Sequence, residues 1–575
     1  MVKIRHLEIK NFKGIKSLSW NLPETSTIAL IGKGDSSKTT ILEAVRYVFY
    51  PHWSIQFADA DFHNAQIDEP IIIRATIGAL PEEFLNIGKY GLHLRGWNRE
   101  QSSLQDEPQQ YEVGGVMVDD EPAITVELKV GSDLEPHWNV ITARNPDGIG
   151  FSLSDRKRLN ATFIGAYNNK LLSWDAHSPL SKLTDETNLQ SCLAKVTRAA
   201  KASFEANRYE LKPLDEAANK VHALAKKLGV QSGEIYRSHL DVNAVNVKTG
   251  GIALHDGEIP IRQLGLGSRR MLACGIQTEN LENQHITLID EIEHGLEPHR
   301  ISRLLKHIKD DTKGTYLFTT HNPTVLRELD FSELNVIHNE AGQVVVRNAA
   351  EKSAGAFKVQ GTLRAHADSF LCPKVIVCEG STEVGFIRGL DDYYVSQQRE
   401  SLSYFGVSYL NASGGSEVRG RAEAMHALGY KVAVFVDSDA PKQFGDKDRD
   451  ELKKIGINVV MWEGGVALEQ RLFMDLPWRL VVEFLTYAIE ELAVDVIQNV
   501  SSKYGGPVPP MISDWNDTQK YREAIGSAAK SSGWFKNIAL GEELGRKVTE
   551  CFIEGNLDGT DTHNKLLMLR GFVEK

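Results

Sequence analysis

The sequence predicts an α/β protein with two sheet-bearing parts. A nucleotide-binding head carries a helical insertion, a second and smaller α/β unit follows, and a helical C-terminal region ends the chain. Three observations predict this. A short apolar strand at Thr27–Ile31 runs into a loop of small residues and then a helix with Ile41, Leu42, Val45 and Val48 on one face. Later apolar strands end abruptly in acids, at Asp290-Glu291, at Glu379 and at Asp437-Ser438-Asp439. The chain has 575 residues, long enough for several domains of ~150 residues each.

The elements follow in order. Ile4, Leu7, Ile9 and Phe12 form a β-type pattern broken by Lys13-Gly14, and PIIIRATI and AITVELKV give strands between 70 and 130. Residues 180–230 turn rich in Ala, Lys, Glu and Leu with helical spacing, which predicts an inserted helical segment. Strand patterns return at HITLID and TYLFTTH, and the weak pattern RNAAEKSAGAFKVQG reads as a linker. Lys374 opens the second α/β unit with the strand KVIVCEG, the helix EVGFIRGL and the strand VAVFVDSD. Beyond about 475 the spacing is mostly helical. The expected boundaries are 1–170 and 236–350 for the head, 171–235 for the insertion, 351–370 for the linker, 371–480 for the second unit and 481–575 for the helical region.

Composition narrows the class. Hydrophobic residues make up 42% and charged residues 25%, which are globular values. The formal net charge of −12 excludes a protein that holds nucleic acid by bulk basicity, though not one that uses a local groove and metal ions. Five cysteines lie scattered with no CxxC pair, so no disulfide framework or zinc knuckle is expected, and a reducing cytoplasm fits. The N-terminus carries charge throughout, unlike a signal peptide, and no run of about 18 apolar residues predicts a membrane span.

Gly32-Lys33-Gly34-Asp35-Ser36-Ser37-Lys38-Thr39-Thr40 sits where a phosphate-cradling loop needs to sit, between strand and helix. Lys38 would reach the β- and γ-phosphates of ATP and Thr39 would hold Mg²⁺. The glycine usual before that lysine is Ser37 here. Asp290 fits a second Mg²⁺ partner and Glu291 a base that positions water. Gly265, Gly267 and Ser268 open a helix-like run as an anion-binding turn, and His321 ends a strand where it could sense the γ-phosphate. The second unit gathers acids. Glu379 and Glu383 lie four residues apart, a spacing that places both on one helix face, and Asp437 and Asp439 end a buried strand. Like charges so placed repel unless a cation neutralises them, and hard oxygen ligands favour Mg²⁺, Mn²⁺ or Ca²⁺. Glu469, opening a further helix, is another candidate ligand.

The order of phosphate loop, signature turn, acidic strand end and switch histidine resembles the ABC-type ATPase head of SMC and RecF proteins over roughly 1–350, without their long coiled coil. EGSTE followed by DSD looks like a Toprim domain. Head plus Toprim resembles the OLD (overcoming lysogenization defect) family of ATP-dependent endonucleases, with the plan of the Gabija and retron-associated nucleases. The resemblance implies a composite ATP site in a homodimer or dimer of dimers, with the insertion helping dimerisation. It implies a two-metal DNA-cutting site of Glu379, Asp437 and Asp439 completed by Glu383 and Glu469, and a role in defence against phage. It implies an assisting C-terminal lysine, for which Lys536 is the first choice and Lys547 the alternative. A helicase, or a reverse transcriptase with its nucleic-acid product, is the partner it suggests. The alternative reading is a RecF- or SMC-like DNA-repair ATPase without nuclease activity.

Overall fold

A computed structural model describes residues 2–52, 55–86, 88–113, 116–159, 161–165, 172, 186–206, 212–228, 235–236, 254–279, 285–352 and 356–574. The chain divides into two compact units, one of residues 159–315 and one of residues 2–158 with 316–575.

The larger unit begins with β1 (Lys3–Phe12), β2 (Ile15–Asn21), β3 (Thr27–Ile31), α1 (Lys38–Val48), β4 (Ile71–Gly78), β5 (Glu121–Val130) and β6 (Pro136–Ile141). The alternation of β1 puts Leu7 and Ile9 fully inside, while every residue of β3 is buried. That matches a central parallel strand, covered on both faces and therefore continuously apolar.

The smaller unit carries β7 (Ala161–Ile164), α2 (Glu186–Ala206), α3 (Lys212–Lys227), α4 (Leu266–Glu279), β8 (His285–Ile289) and α5 (Pro298–Asp310). Strands β7 and β8 pair in parallel, Ala161 opposite Ile286 through Ile164 opposite Ile289. Helices α2 and α3 make up most of the described part of the expected insertion; residues 171, 173–185, 207–211 and 229–234 of it lie outside the described residues. Their apolar residues Val196, Leu214, Val221 and Leu224 are exposed.

The larger unit resumes with β9 (Gly314–Thr319), β10 (Leu334–Glu340), β11 (Gln343–Asn348) and α6 (Ala356–Ala365). Its mixed sheet runs β6-β5-β4-β1-β2-β11-β10-β3-β9. Strand β3 lies parallel to both neighbours, β10 and β9. Residues 351–370, expected as a linker, differ from that expectation. Helix α6 buries Val359 and Leu363, so the weak sequence pattern conceals a packed helix.

The second sheet follows: β12 (Lys374–Cys378), α7 (Ser381–Ser396), β13 (Val407–Asn411), α8 (Gly415–Ala427), β14 (Lys431–Val436) and β15 (Asn458–Met461). All four strands are parallel, in the order β13-β12-β14-β15. Ligands of such sheets bind at the carboxyl ends of the strands, and Glu379, Asp437 and Asp439 lie there.

Helices α9 (Leu468–Asp475), α10 (Gln519–Ser532), α11 (Ile538–Ile553) and α12 (Asp561–Glu574) are among those that follow the sheet. They share one apolar core with the second sheet, in which Phe435, Phe473, Phe484 and Phe535 are buried together. Arg522 ties α10 to α9, donating through Nη1 to the carbonyls of Phe473 (2.9 Å), Met474 (3.1 Å) and Leu476 (2.7 Å). These are the orphan acceptors of a helix C-terminus. Helices α7 and α11 meet through glycines. A Cβ on Gly389 would lie 1.9 Å from the Glu542 carbonyl oxygen, one on Gly385 2.2 Å from that of Ile538, and one on Gly545 2.1 Å from that of Phe386. The C-terminal helices are thereby seated on the unit that carries the acids.

Candidate functional site

The residues expected to bind nucleotide fall in both units. In the larger one, β3 delivers the chain into Gly32 at φ +151°, where a Cβ would stand 2.5 Å from the Ile337 carbonyl oxygen. Only glycine fits that approach. Gly34 has open space where its Cβ would be, so packing does not demand glycine there. Ser37 sits at φ 71°, the left-handed conformation that explains why glycine is usual before the lysine. Its Oγ accepts from Asn339 Nδ2 at 2.8 Å, a bond that glycine could not make. Lys38, only 5% exposed, folds its Nζ onto the Gly32 carbonyl (3.1 Å), the Lys33 carbonyl (2.8 Å) and Ser36 Oγ (3.1 Å). Its ammonium is therefore held inside the loop curve. Thr39 and Thr40 occupy the first turn of α1, and His321 is exposed just beyond β9.

In the smaller unit, β8 is buried throughout and leads to Asp290 and Glu291. Glu291 adopts φ 50° and faces His294 Nδ1 at 3.5 Å. The buried Arg270 donates through Nη2 to the Asp290 carbonyl, and burial lowers its pKa. The expected helix start is present: Gly265 precedes α4, and Gly267 and Ser268 lie in its first turn. A Cβ at Gly267 would meet the Gly295 carbonyl oxygen at 2.2 Å, and Ser268 Oγ accepts from Arg300 Nη1 at 3.1 Å.

The acids of the second sheet cluster at its carboxyl edge. Glu379 follows β12 and accepts the Asp437 N–H on Oε2 at 3.2 Å. It is not on helix α7, as the four-residue spacing to Glu383 suggested, because Gly380 caps that helix in extended conformation. Glu383 is in the first turn and turns back to accept the Gly380 N–H at 2.8 Å. Asp437 Oδ1 accepts the Leu468 N–H at 3.0 Å, which joins β14 to the start of α9. Ser438 locks the turn between the aspartates, since its Oγ accepts the Val466 N–H at 2.9 Å. Glu469 lies in the first turn of α9 and is 8% exposed.

The fields of these groups overlap. Burial, then Glu469 and Glu379, pushes Glu383 up to about 7. Burial, then Glu383, Glu379 and Glu469, holds Asp437 well above the carboxylate range. Burial also raises Glu379, against the Asp437 N–H and Lys530, and raises Glu469, against Lys530 and Lys536. Such a set of hard oxygen donors, strained by mutual repulsion, suits a divalent cation. Among the described residues no three Asp, Glu, His or Cys side chains form a ready cage. Each carboxylate is instead turned to a local partner: Glu383 to Gly380, Asp437 to Leu468, Asp439 to Lys530.

Lys530, unmarked by the sequence reading, ion-pairs with Asp439. It occupies the last turn of α10, where a lysine reads as an ordinary helix-end cation. Lys536, exposed after the buried Trp534-Phe535, acts on Glu469. Lys547 is directed elsewhere, to Glu483 at 3.6 Å and Glu543 at 4.0 Å. Of the two lysines the sequence offered, only Lys536 stands in the field of the acids.

Two family models match parts of the chain. Residues 28–327, just over half the chain, match the family described as "AAA domain, putative AbiEii toxin, Type IV TA system". Residues 370–439 match the Toprim domain of overcoming lysogenization defect protein-like proteins. No curated protein matches the chain. Among solved structures, an SMC head bound to the C-winged helix domain of ScpA is 14% identical, covering 60% of this chain and 99% of its own, with a TM-score of 0.33. The SMC head domain from Thermotoga maritima is 13% identical over 60% of this chain and 98% of its own, at 0.27. An SMC head with an extended coiled coil, bound to a ScpA domain derived from Pyrococcus furiosus, is 14% identical over 63% and 100%, at 0.33. Those overlaps are low, and the assignment rests on the two matched families. An AAA-type ATPase domain followed by a Toprim domain of the nuclease type places the chain in the OLD family of ATPase–nucleases.

Proposed function

We propose that this protein is a metal-dependent DNA endonuclease gated by ATP and acting in defence against phage. What supports the reading is one observation above the rest: burial, and after it neighbouring carboxylates, raises the pKa of Glu379, Glu383, Asp437 and Glu469 at a sheet edge where Lys530 and Lys536 are the opposing charges. Packing gains nothing from such repulsion. Glu379, Asp437 and Asp439 would hold Mg²⁺, with Mn²⁺ or Ca²⁺ as alternatives, and Glu383 and Glu469 would complete the set. A bound divalent cation neutralises phosphate charge and lowers the pKa of water. Lys530 holds Asp439 in place, and Lys536 offers an exposed ammonium beside Glu469 for charge developing on a phosphodiester.

In the head, Lys38 and Thr39 would take the ATP phosphates and their Mg²⁺, with Gly32, Gly34, Ser37 and Thr40 shaping the loop. Asp290 and Glu291 would serve as metal partner and water-positioning base. Gly265, Gly267 and Ser268 would face the phosphates of a second copy, which calls for a homodimer or a dimer of dimers. His321 would sense the γ-phosphate. A helicase or a reverse transcriptase with its nucleic-acid product remains the proposed partner. Among the described residues no helix is long and apolar enough to cross a membrane. The deciding experiment is plasmid cleavage with Mg²⁺ or Mn²⁺, alongside ATPase on the same preparation. Wild type should cut, Asp437→Ala should lose cutting by orders of magnitude, and both should hydrolyse ATP. ATP hydrolysis without any cutting would instead favour the DNA-repair ATPase.

A further inference from the structure

A cavity of about 830 Å³ opens at the opposite end of the second sheet from the acids. Lys431 and Val432 begin β14 beside it and Asn458 begins β15, whereas Asp437 and Asp439 lie past the far end of β14. Three cationic or protonatable side chains line it: Arg347 from β11, His426 from α8 and Lys431. No Asp or Glu lines it, in a chain of net charge −12. Among the described residues neither Arg347 nor Lys431 is ion-paired. Arg347 is anchored by one bond, Nη1 to the Ala427 carbonyl at 2.9 Å.

The other wall is apolar. Helix α12 contributes Leu567, Met568 and Phe572. Leu567 and Met568 remain 49% and 44% exposed, although they adjoin a well-packed helix face. Exposed apolar surface beside unneutralised cations is the two-part lining of a pocket for an amphiphilic anion. The volume lies within the range of small-molecule sites and far exceeds the space a bare phosphate fills.

We propose that this cavity binds a small organic phosphate, its anionic head at Arg347, His426 and Lys431 and its apolar or aromatic body against Leu567, Met568 and Phe572. The site is separate from the phosphate loop and from the acids. It lies on the seam joining the two sheets of the larger unit, where His338 Nε2 bonds the Leu428 carbonyl at 2.7 Å and a Cβ on Gly429 would touch that imidazole at 2.5 Å. An occupant held by Arg347 on one sheet and Lys431 on the other would brace that seam.

The test is calorimetric titration of the full chain in EDTA with adenosine 5′-monophosphate, inorganic phosphate and adenosine as probes. Each is run on wild type and on Lys38→Ala, which silences the phosphate loop. The monophosphate should bind both proteins alike, and each fragment should bind at least tenfold more weakly. Lys431→Gln, at an exposed position, and Met568→Glu, which places a carboxylate in the cavity, should each weaken the monophosphate about tenfold without lowering the melting temperature. Loss of monophosphate binding in Lys38→Ala, or unchanged affinity in both cavity variants, overturns the site. Inorganic phosphate or adenosine binding as tightly as the ester overturns the two-part ligand.

Discussion

Gly389→Ala tests how the C-terminal helices are seated on the acid-bearing sheet. The new methyl would stand 1.9 Å from the Glu542 carbonyl oxygen, where ordinary contact begins near 3.4 Å. The obstacle is backbone in the middle of α11, so relief requires the two helices to part by about 1.5 Å, the difference between those distances. Overpacking of this kind costs about 1–3 kcal/mol. The helix preference of alanine over glycine returns about 1 kcal/mol. With no flexible side chain to give way, the cost belongs at the upper end, leaving a net loss of roughly 2 kcal/mol. Gly361→Ala is the control: it is exposed, lies in α6, and has nothing within 4 Å of a new Cβ. It should gain about 0.5–1 kcal/mol from propensity alone. Thermal melts of the two variants beside wild type read the difference directly. Lys536 immediately precedes the Asn537 cap of α11, so Gly389→Ala should also slow DNA cutting while ATP hydrolysis persists. A Gly389→Ala protein as stable as Gly361→Ala would refute the close-approach argument.

Other perturbations separate the remaining roles. Lys38→Ala should lose ATP binding at least a hundredfold, whereas Ser37→Gly should hold it within a few-fold, because glycine relieves a left-handed residue at a cost of one Asn339 bond; equilibrium binding of a labelled ATP analogue decides it, and equal losses would contradict the loop geometry. Glu291→Gln should bind ATP yet hydrolyse it slowly, since an amide cannot act as a base; wild-type turnover would remove Glu291 from the role. Lys530→Ala should cut DNA at least tenfold more slowly by releasing Asp439 into the repulsion of its neighbours, and Lys530→Arg should recover part of the rate; unchanged cleavage by Lys530→Ala would leave Lys536 as the sole basic candidate. His338→Ala removes the bond to Leu428 that joins the strand beside the phosphate loop to the turn before β14. The effect of ATP on cleavage should shrink while ATPase and nucleotide-free cleavage persist, and an undiminished ATP effect would dismiss that route.

The parts of the site that were legible are those where chemistry overrides packing. A buried strand has no reason to end in Asp437-Ser438-Asp439 unless something outside the core answers the charge, so β14 declared itself from pattern alone. The loop before Lys38 was legible for the same reason, and its departure from glycine at Ser37 becomes intelligible through φ 71° and a hydrogen bond from residue 339, three hundred positions away. What stayed hidden depends on which surface a residue faces. Lys530 carries the local signature of a helix end and acquires its other meaning only because Arg522 pins α10 against α9, a contact between distant segments. Glu379 and Glu383 misled because helix spacing applies only inside a helix, and that helix starts at Ser381, with Gly380 as its cap, two residues past Glu379. Residues 356–365 looked like a linker because alanines, lysine and glycine dilute the apolar stripe, yet Val359 and Leu363, one turn apart, are buried on α6, and Gln360 donates to the Leu329 carbonyl. Lys530, Lys536 and the glycine-seated α11 all come from the helical region and all bear on acids supplied by the second sheet. The acidic edge therefore depends on the C-terminal helices for its countercharge, and a chain ended before residue 481 would keep Glu379, Asp437 and Asp439 but lose both lysines that oppose their repulsion.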